Sequence, residues 1–99
     1  MGNHSFFSSK LTLVIKNLKF SKIIYISENN DNNIVNSLLK NFTSVEIKQY
    51  INQIKKYVNK ENLIILEIDE LQFNSEMLLD IANLRTYHQT NLIILVRHR

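Results

Sequence analysis

Two apolar runs of this chain end in groups that could do chemistry. "KIIYI" (22–26) runs into Ser27 and Glu28, and "NLIILEI" (62–68) carries Glu67 and is followed by Asp69. A strand that runs into carboxylates is where many α/β proteins hold a metal ion or a phosphoryl group, because ligands gather beyond the carboxyl ends of the strands. Each acid also has an ordinary reading. Glu28 is a solvated loop acid, and Glu67 is a buried acid paired with a lysine at the sheet edge. Asp31 stands directly before a helical pattern and reads as its cap. Asp69 takes the place of Glu67 only if the register slips by two, which makes the strand overlong. His4, His88 and His98 share no metal-ligand spacing and read as surface or tail residues. No Ser/His/Asp set, carboxylate pair or metal cluster stands at a convincing spacing. The expectation is a protein that is not an enzyme and needs no cofactor.

The elements that must position these residues can be read from composition and period. Ninety-nine residues make one domain. With 44% apolar and 21% charged residues, the chain has the balance of a globular protein with a small core. It has no cysteine, which removes disulfides, thiolate catalysis and cysteine metal sites. A single glycine, Gly2, and no proline exclude the glycine-dependent phosphate loops and dinucleotide turns. Asparagine is abundant from Asn29 to Asn36 and tolerates left-handed turns in glycine's stead. The net charge of +3 is mild, and the one dense basic spot is Arg97-His98-Arg99. Basic and aromatic residues do not interleave on one stripe, so this segment alone is not expected to bind nucleic acid. No apolar run approaches the ~18 residues of a membrane span, and the lysine-interrupted start makes a poor secretory signal. The expectation is a cytoplasmic protein without a membrane partner.

"KIIYI" (22–26), "NLIILEI" (62–68) and "NLIILV" (91–96) are apolar on both faces, which suits strands covered by helices on both sides. Between them, residues 31–42 place Ile34, Val35, Leu38, Leu39 and Phe42 on one helical face. Residues 74–88 do the same with Leu78, Ile81 and Leu84, capped by Asn74 or Ser75. Strands alternating with helices predict a parallel sheet. Residues 43–60 fit one helix opened by a Thr43/Glu46 capping box, or a strand at 44–49 followed by a helix at 51–60. The second is preferred, since the preceding helix otherwise meets another helix with no strand between. The leading segment reads as a helix with Leu11, Val14, Ile15 and Leu18 on one stripe, or as a strand with Leu11, Leu13 and Ile15.

In that order the pieces resemble the receiver domain of response regulators. "NLKFSKIIYISENNDNN" is similar to the family's first strand and acidic loop. "NLIILEIDEL" is similar to its third strand, and "LRTYHQTNLIILVRHR" to the end of its third helix and its fourth strand. The resemblance spans about residues 18–99. It implies a flavodoxin-like three-layer α/β sandwich with a short, mainly parallel sheet that ends after the fourth strand, and a two-component signalling role. Residues 1–20 would be an N-terminal helix or strand extension and 21–99 the receiver-like domain.

The family's chemistry uses two acids after the first strand to bind magnesium and an aspartate ending the third to accept the phosphoryl group. A hydroxyl ends the fourth strand and a lysine the fifth. This chain offers Ser27 and Glu28, then Glu67, then Val96, and no lysine can be assigned. Ser27 removes a charge from a site that usually holds magnesium with one or two carboxylates. Glu67 is one methylene too long, and a misplacement of about an ångström can cost about a hundredfold in rate. Val96 cannot hydrogen-bond a phosphoryl oxygen. The resemblance therefore implies a degenerate, pseudo-receiver pocket of Ser27, Glu28, Glu67 and Val96 that takes no phosphoryl group and leaves a fixed negative charge. Such a module acts through protein-protein contact or self-association as a dimer. Phe6, Phe7, Leu11, Val14 and Ile15 form its expected interaction surface, able to cover the edge and helix face left open at the fourth strand.

A second resemblance is to the anti-sigma-factor antagonist (STAS) domain. It rests on "NLIILEIDELQFNSEMLLDIANLR", where a strand leads through an acidic turn to a helix opened by a serine. It implies two opening strands within 10–26 and regulatory phosphorylation at Ser75, which joins Asp69, the receiver-like acceptor if the register slips by two, as an alternative acceptor. The glycine usual after that serine is missing.

Overall fold

The computed structural model describes residues 2–98, with side chains from Ser9 onward. Its four strands are β1 (Lys22–Ser27), β2 (Val45–Lys48), β3 (Asn62–Asp69) and β4 (Asn91–Arg97). They form one sheet in the order β2-β1-β3-β4, and every neighbouring pair is parallel. The α-helices are α1 (Gly2–Lys16), α2 (Asn32–Asn41) and α3 (Ser75–His88), and two short 3-10 segments cover Ile51–Lys56 and Glu70–Gln72. This is an α/β sandwich with helices on both faces of a parallel sheet, compatible with a flavodoxin-like fold.

The continuous apolar runs become the two central strands for the expected reason. Ile23 to Ile26 and Leu63 to Leu66 are fully buried, because β1 and β3 have a neighbour on each side and a helical layer on each face. Alternate residues then feed two cores. Ile23, Tyr25, Leu63 and Ile65 meet Leu11 and Ile15 of α1 and Ile34 and Leu38 of α2. Ile24, Ile26, Ile64, Leu66 and Ile68 meet Ile54 and Ile81 on the other face.

The helix ends follow their caps. Asp31 opens α2, its carboxylate accepting the backbone N–H groups of Asn33 (2.8 Å) and Ile34 (3.4 Å). Asn74 opens α3 by accepting from the Met77 N–H at 2.8 Å. α3 ends at Gln89, which takes the left-handed conformation (φ 56°, ψ 32°) that glycine usually fills. With so little glycine in the chain a glutamine does the job, where an asparagine was expected to.

Several expectations change. Residues 43–60 do split into strand and helix, but the helix is only the 3-10 stretch Ile51–Lys56, whose capping residue Tyr50 offers no side-chain hydrogen bond. Asn59 then turns the chain, accepting the N–H groups of Glu61 and Asn62. No Thr43/Glu46 capping box forms, because Glu46 lies in β2 and pairs with Lys22 and Lys48 instead. Leu39 points outward, 55% exposed, since Ile34 and Leu38 define the buried seam of α2. The leading segment is helical through Lys16, so the two opening strands within 10–26 are reduced to β1 alone. Leu11 and Ile15, four apart, bury their side chains against the sheet, with Leu18 and Phe20 packed beside them. Val14 lies off that seam and is 52% exposed. Phe6, Phe7 and His4 have side chains outside the described residues. Among the described residues no helix is long and apolar enough to cross a membrane.

Candidate functional site: a buried carboxylate at the carboxyl end of the sheet

The site grows out of strand register. Ser27, the last residue of β1, lies beside Glu67 of β3, and Glu67 lies beside Leu95 of β4. Ser27 and Glu67 share a face with Tyr25, two residues back along β1, and with Arg97, two residues beyond Leu95. The Glu67 carboxylate is 7% exposed. Leaving an ion there unpaired would cost several kcal/mol, and three donors converge on its Oε1 to offset that. The Ser27 hydroxyl donates at 2.7 Å, the Tyr25 hydroxyl at 2.9 Å and the Arg97 guanidinium at 2.7 Å.

These donors are themselves held. The Tyr25 oxygen accepts the N–H of Asp31 at 3.2 Å, at the entry to α2. Ser27 Oγ accepts the N–H of Asn29 at 3.3 Å, and Arg97 donates to the Asn29 carbonyl at 3.3 Å. The loop after β1 is thus tied through Glu67 to the end of β4. Burial raises the Tyr25 phenol well above its ordinary value; the nearby Glu67 charge pushes the same way, against the lowering effect of the Asp31 N–H. The phenol stays protonated and keeps donating.

A shallow cleft of about 10 Å³ opens beside the cluster, bounded by Glu28, Asn29, Asp69, Gln72 and the ends of Ser27, Glu67 and Arg97. That volume holds about one water molecule. Glu28 is exposed and accepts from Gln72 Nε2 at 3.3 Å across the cleft. Asp69 turns back on its own loop, accepting the Leu71 N–H at 3.0 Å, while its N–H donates to Gln72 Oε1 at 3.2 Å. Among the described residues no group of three or more His, Asp or Glu side chains is placed to hold a metal ion.

The structure brings Ser27, Glu28 and Glu67 to one place, with Asp69 at its rim. It does not bring Val96 there. Val96 pairs in register with Ile68 and packs in the core of the opposite face, because side chains alternate along a strand. Arg97, one residue on, enters the site from β4. Ser75 sits exposed in the first turn of α3, away from the cluster. The lysine partner expected for Glu67 is an arginine, and the basic tail Arg97-His98-Arg99 is no free patch. Arg97 is committed to Glu67, His98 meets Glu70 at 3.0 Å, and Arg99 lies outside the described residues.

Sequence reasoning missed Tyr25 and Arg97. For Tyr25 a signal existed: a hydroxyl inside a fully buried run must find a partner, and Tyr25, Ser27 and an acid on the neighbouring strand form one stripe. For Arg97 the signal was the parity of β4, which puts Leu95 and Arg97 on the face of Glu67. No protein-family model matches the chain, and no curated protein or solved structure matches it.

Proposed function

We propose that this chain is a receiver-like regulatory module that works through protein contact and carries out no phosphotransfer. The observation that carries the reading is the engagement of Glu67 by its own chain. Its Oε1 accepts Tyr25, Ser27 and Arg97 at once. The place where the receiver-like reading puts a phosphoryl acceptor is filled by a charge pair internal to the chain. Arg97 sets a fixed cation where a metal-dependent site would need room, and the cleft beside it admits about one water. The all-parallel order β2-β1-β3-β4 supports the receiver-like architecture. A site of this kind fixes the loop after β1 against β4 in one state, and what the module then offers a partner is a rigid surface.

The test is incubation with a small phosphoryl donor and magnesium, read by intact mass. The expected result is no added phosphoryl group. Stoichiometric labelling at Glu67 or Asp69 would overturn the reading, and labelling at Ser75 would favour the anti-sigma-factor-antagonist alternative.

A further inference from the structure

The two edges of the sheet are built differently. β2 is four residues long and carries Glu46 and Lys48, which form a charged cluster with Lys22. Short length and charge are two devices that keep an edge strand from pairing with another chain. β4 has neither. It is seven residues long, half-buried throughout, and reads Asn-Leu-Ile-Ile-Leu-Val before its one charge. That charge, Arg97, is turned inward to Glu67. Among the described residues no strand lies beyond β4.

We propose that β4 pairs with β4 of a second copy, antiparallel about a two-fold axis at Ile94, joining two sheets into one of eight strands. The proposal rests on the reading above, that the module acts by protein contact, and it names the partner. The strand is self-complementary in this register. Ile93 faces Leu95 of the second copy, Leu92 faces Val96, Ile94 faces itself, and Arg97 faces Asn91, so no like charges stand opposite one another. Residues directly opposite in an antiparallel pair share a face of the sheet. The pairing therefore extends both cores together: Ile93 and Leu95 on the α1/α2 side, Leu92, Ile94 and Val96 on the α3 side. A second copy matches both faces by symmetry, because the interface is the same patch twice.

A seven-residue edge is about 23 Å long. With its flanking side chains it buries roughly 500–1,000 Å² in total, the size of weak, reversible interfaces. The dimer dissociates in the micromolar range rather than the nanomolar.

Two variants of the whole chain test this. Ile94→Lys sets two ammonium groups against each other at the axis. Sedimentation or light scattering over a dilution series should show a reversible dimer for the parent chain and a dissociation constant raised about tenfold or more by the variant. Ile94→Cys introduces the only thiol, since the chain has no cysteine. Opposite Cα atoms in such a pair stand about 4.5–5.5 Å apart, within disulfide reach, so mild oxidation should trap a dimer. Tyr50→Cys, at an exposed position, should not. The thiol variant decides the matter if Ile94→Lys fails to fold. A parent chain that stays monomeric to millimolar concentration would overturn the proposal. So would assemblies larger than a dimer, a dimer that Ile94→Lys leaves intact, or equal crosslinking at Tyr50. A monomer that also takes no phosphoryl group defeats this dimer and leaves the reading of the Glu67 site standing. A labelled protein defeats that reading whatever its association state.

Discussion

Replacing Arg97 by alanine removes the one cation among the described residues that pairs with Glu67 and strands a carboxylate that is 7% exposed. Removing one partner of a fully buried ion pair costs about 3–5 kcal/mol. The Arg97 side chain is 35% exposed, so water screens part of the interaction, and Tyr25 and Ser27 go on donating. The expected loss is about 2 kcal/mol, which for a domain of this size lowers the melting temperature by about 8–16 °C. Urea unfolding followed by far-UV circular dichroism measures it, at dilutions where the chain is monomeric and with m-values compared to confirm that the same surface unfolds. The second arm places Glu67→Gln in the Arg97→Ala background. The amide oxygen still accepts Tyr25 and Ser27, the stranded charge is gone, and the double variant should be more stable than Arg97→Ala alone. An Arg97→Ala chain within about 0.5 kcal/mol of the parent, the usual range for an inconsequential surface change, would show that Arg97 does not stabilise the buried Glu67 charge. So would strict additivity in the cycle, because residues that interact do not add.

Three further outcomes follow from single residues. The Tyr25 phenol has its folded pKa raised above the ordinary 10.0. Its contribution to stability is therefore complete below pH 10 and lost as the pH climbs toward the folded value; Tyr25→Phe should flatten that alkaline limb and cost about 1 kcal/mol at neutral pH, as read by unfolding curves across pH. Gln89 holds a left-handed conformation at the end of α3, so Gln89→Gly should stabilise by about 1 kcal/mol, visible as a higher urea midpoint. Thr90 Oγ1 is buried with no hydrogen-bond partner among the described residues, and Thr90→Val should be neutral or stabilising by about 1 kcal/mol, where a loss above that would reveal a bond to ordered water.

The sheet was legible because its central strands are apolar on both faces and the segments between them are helical. Ile23 to Ile26 beside Leu63 to Ile68, and Leu63 to Ile68 beside Leu92 to Val96, are the pairings those runs imply. The leading helix was less legible. Among the described side chains Leu11 and Ile15 are buried in the core with Leu18 packed against it, while Leu13 and Val14 face solvent, so the apolar pattern there does not mark one clean stripe. Residues 51–58 misled for a different reason. Ile51, Ile54 and Val58 have a helical spacing, but a six-residue 3-10 stretch and the turn after it already pack them against the sheet. In the site, Ser27 and Glu67 were legible because each ends or nearly ends an apolar run. Glu67's partners were not, because they come from Tyr25, hidden among isoleucines, and from Arg97, whose inward turn depends on a register between β3 and β4 that composition does not specify.

In the function proposed above, the chain itself engages Glu67 and does not offer it to a metal ion or a phosphoryl group. The most direct measurement is an amide NMR spectrum of the protein titrated with millimolar magnesium. The resonances of Ser27, Asn29, Glu67, Ile68 and Arg97 should not move, because Arg97 already occupies the cation's side of the carboxylate. A saturable shift centred on those residues would show an open acidic site at the end of β1 and β3, with Glu67 free to take a cation.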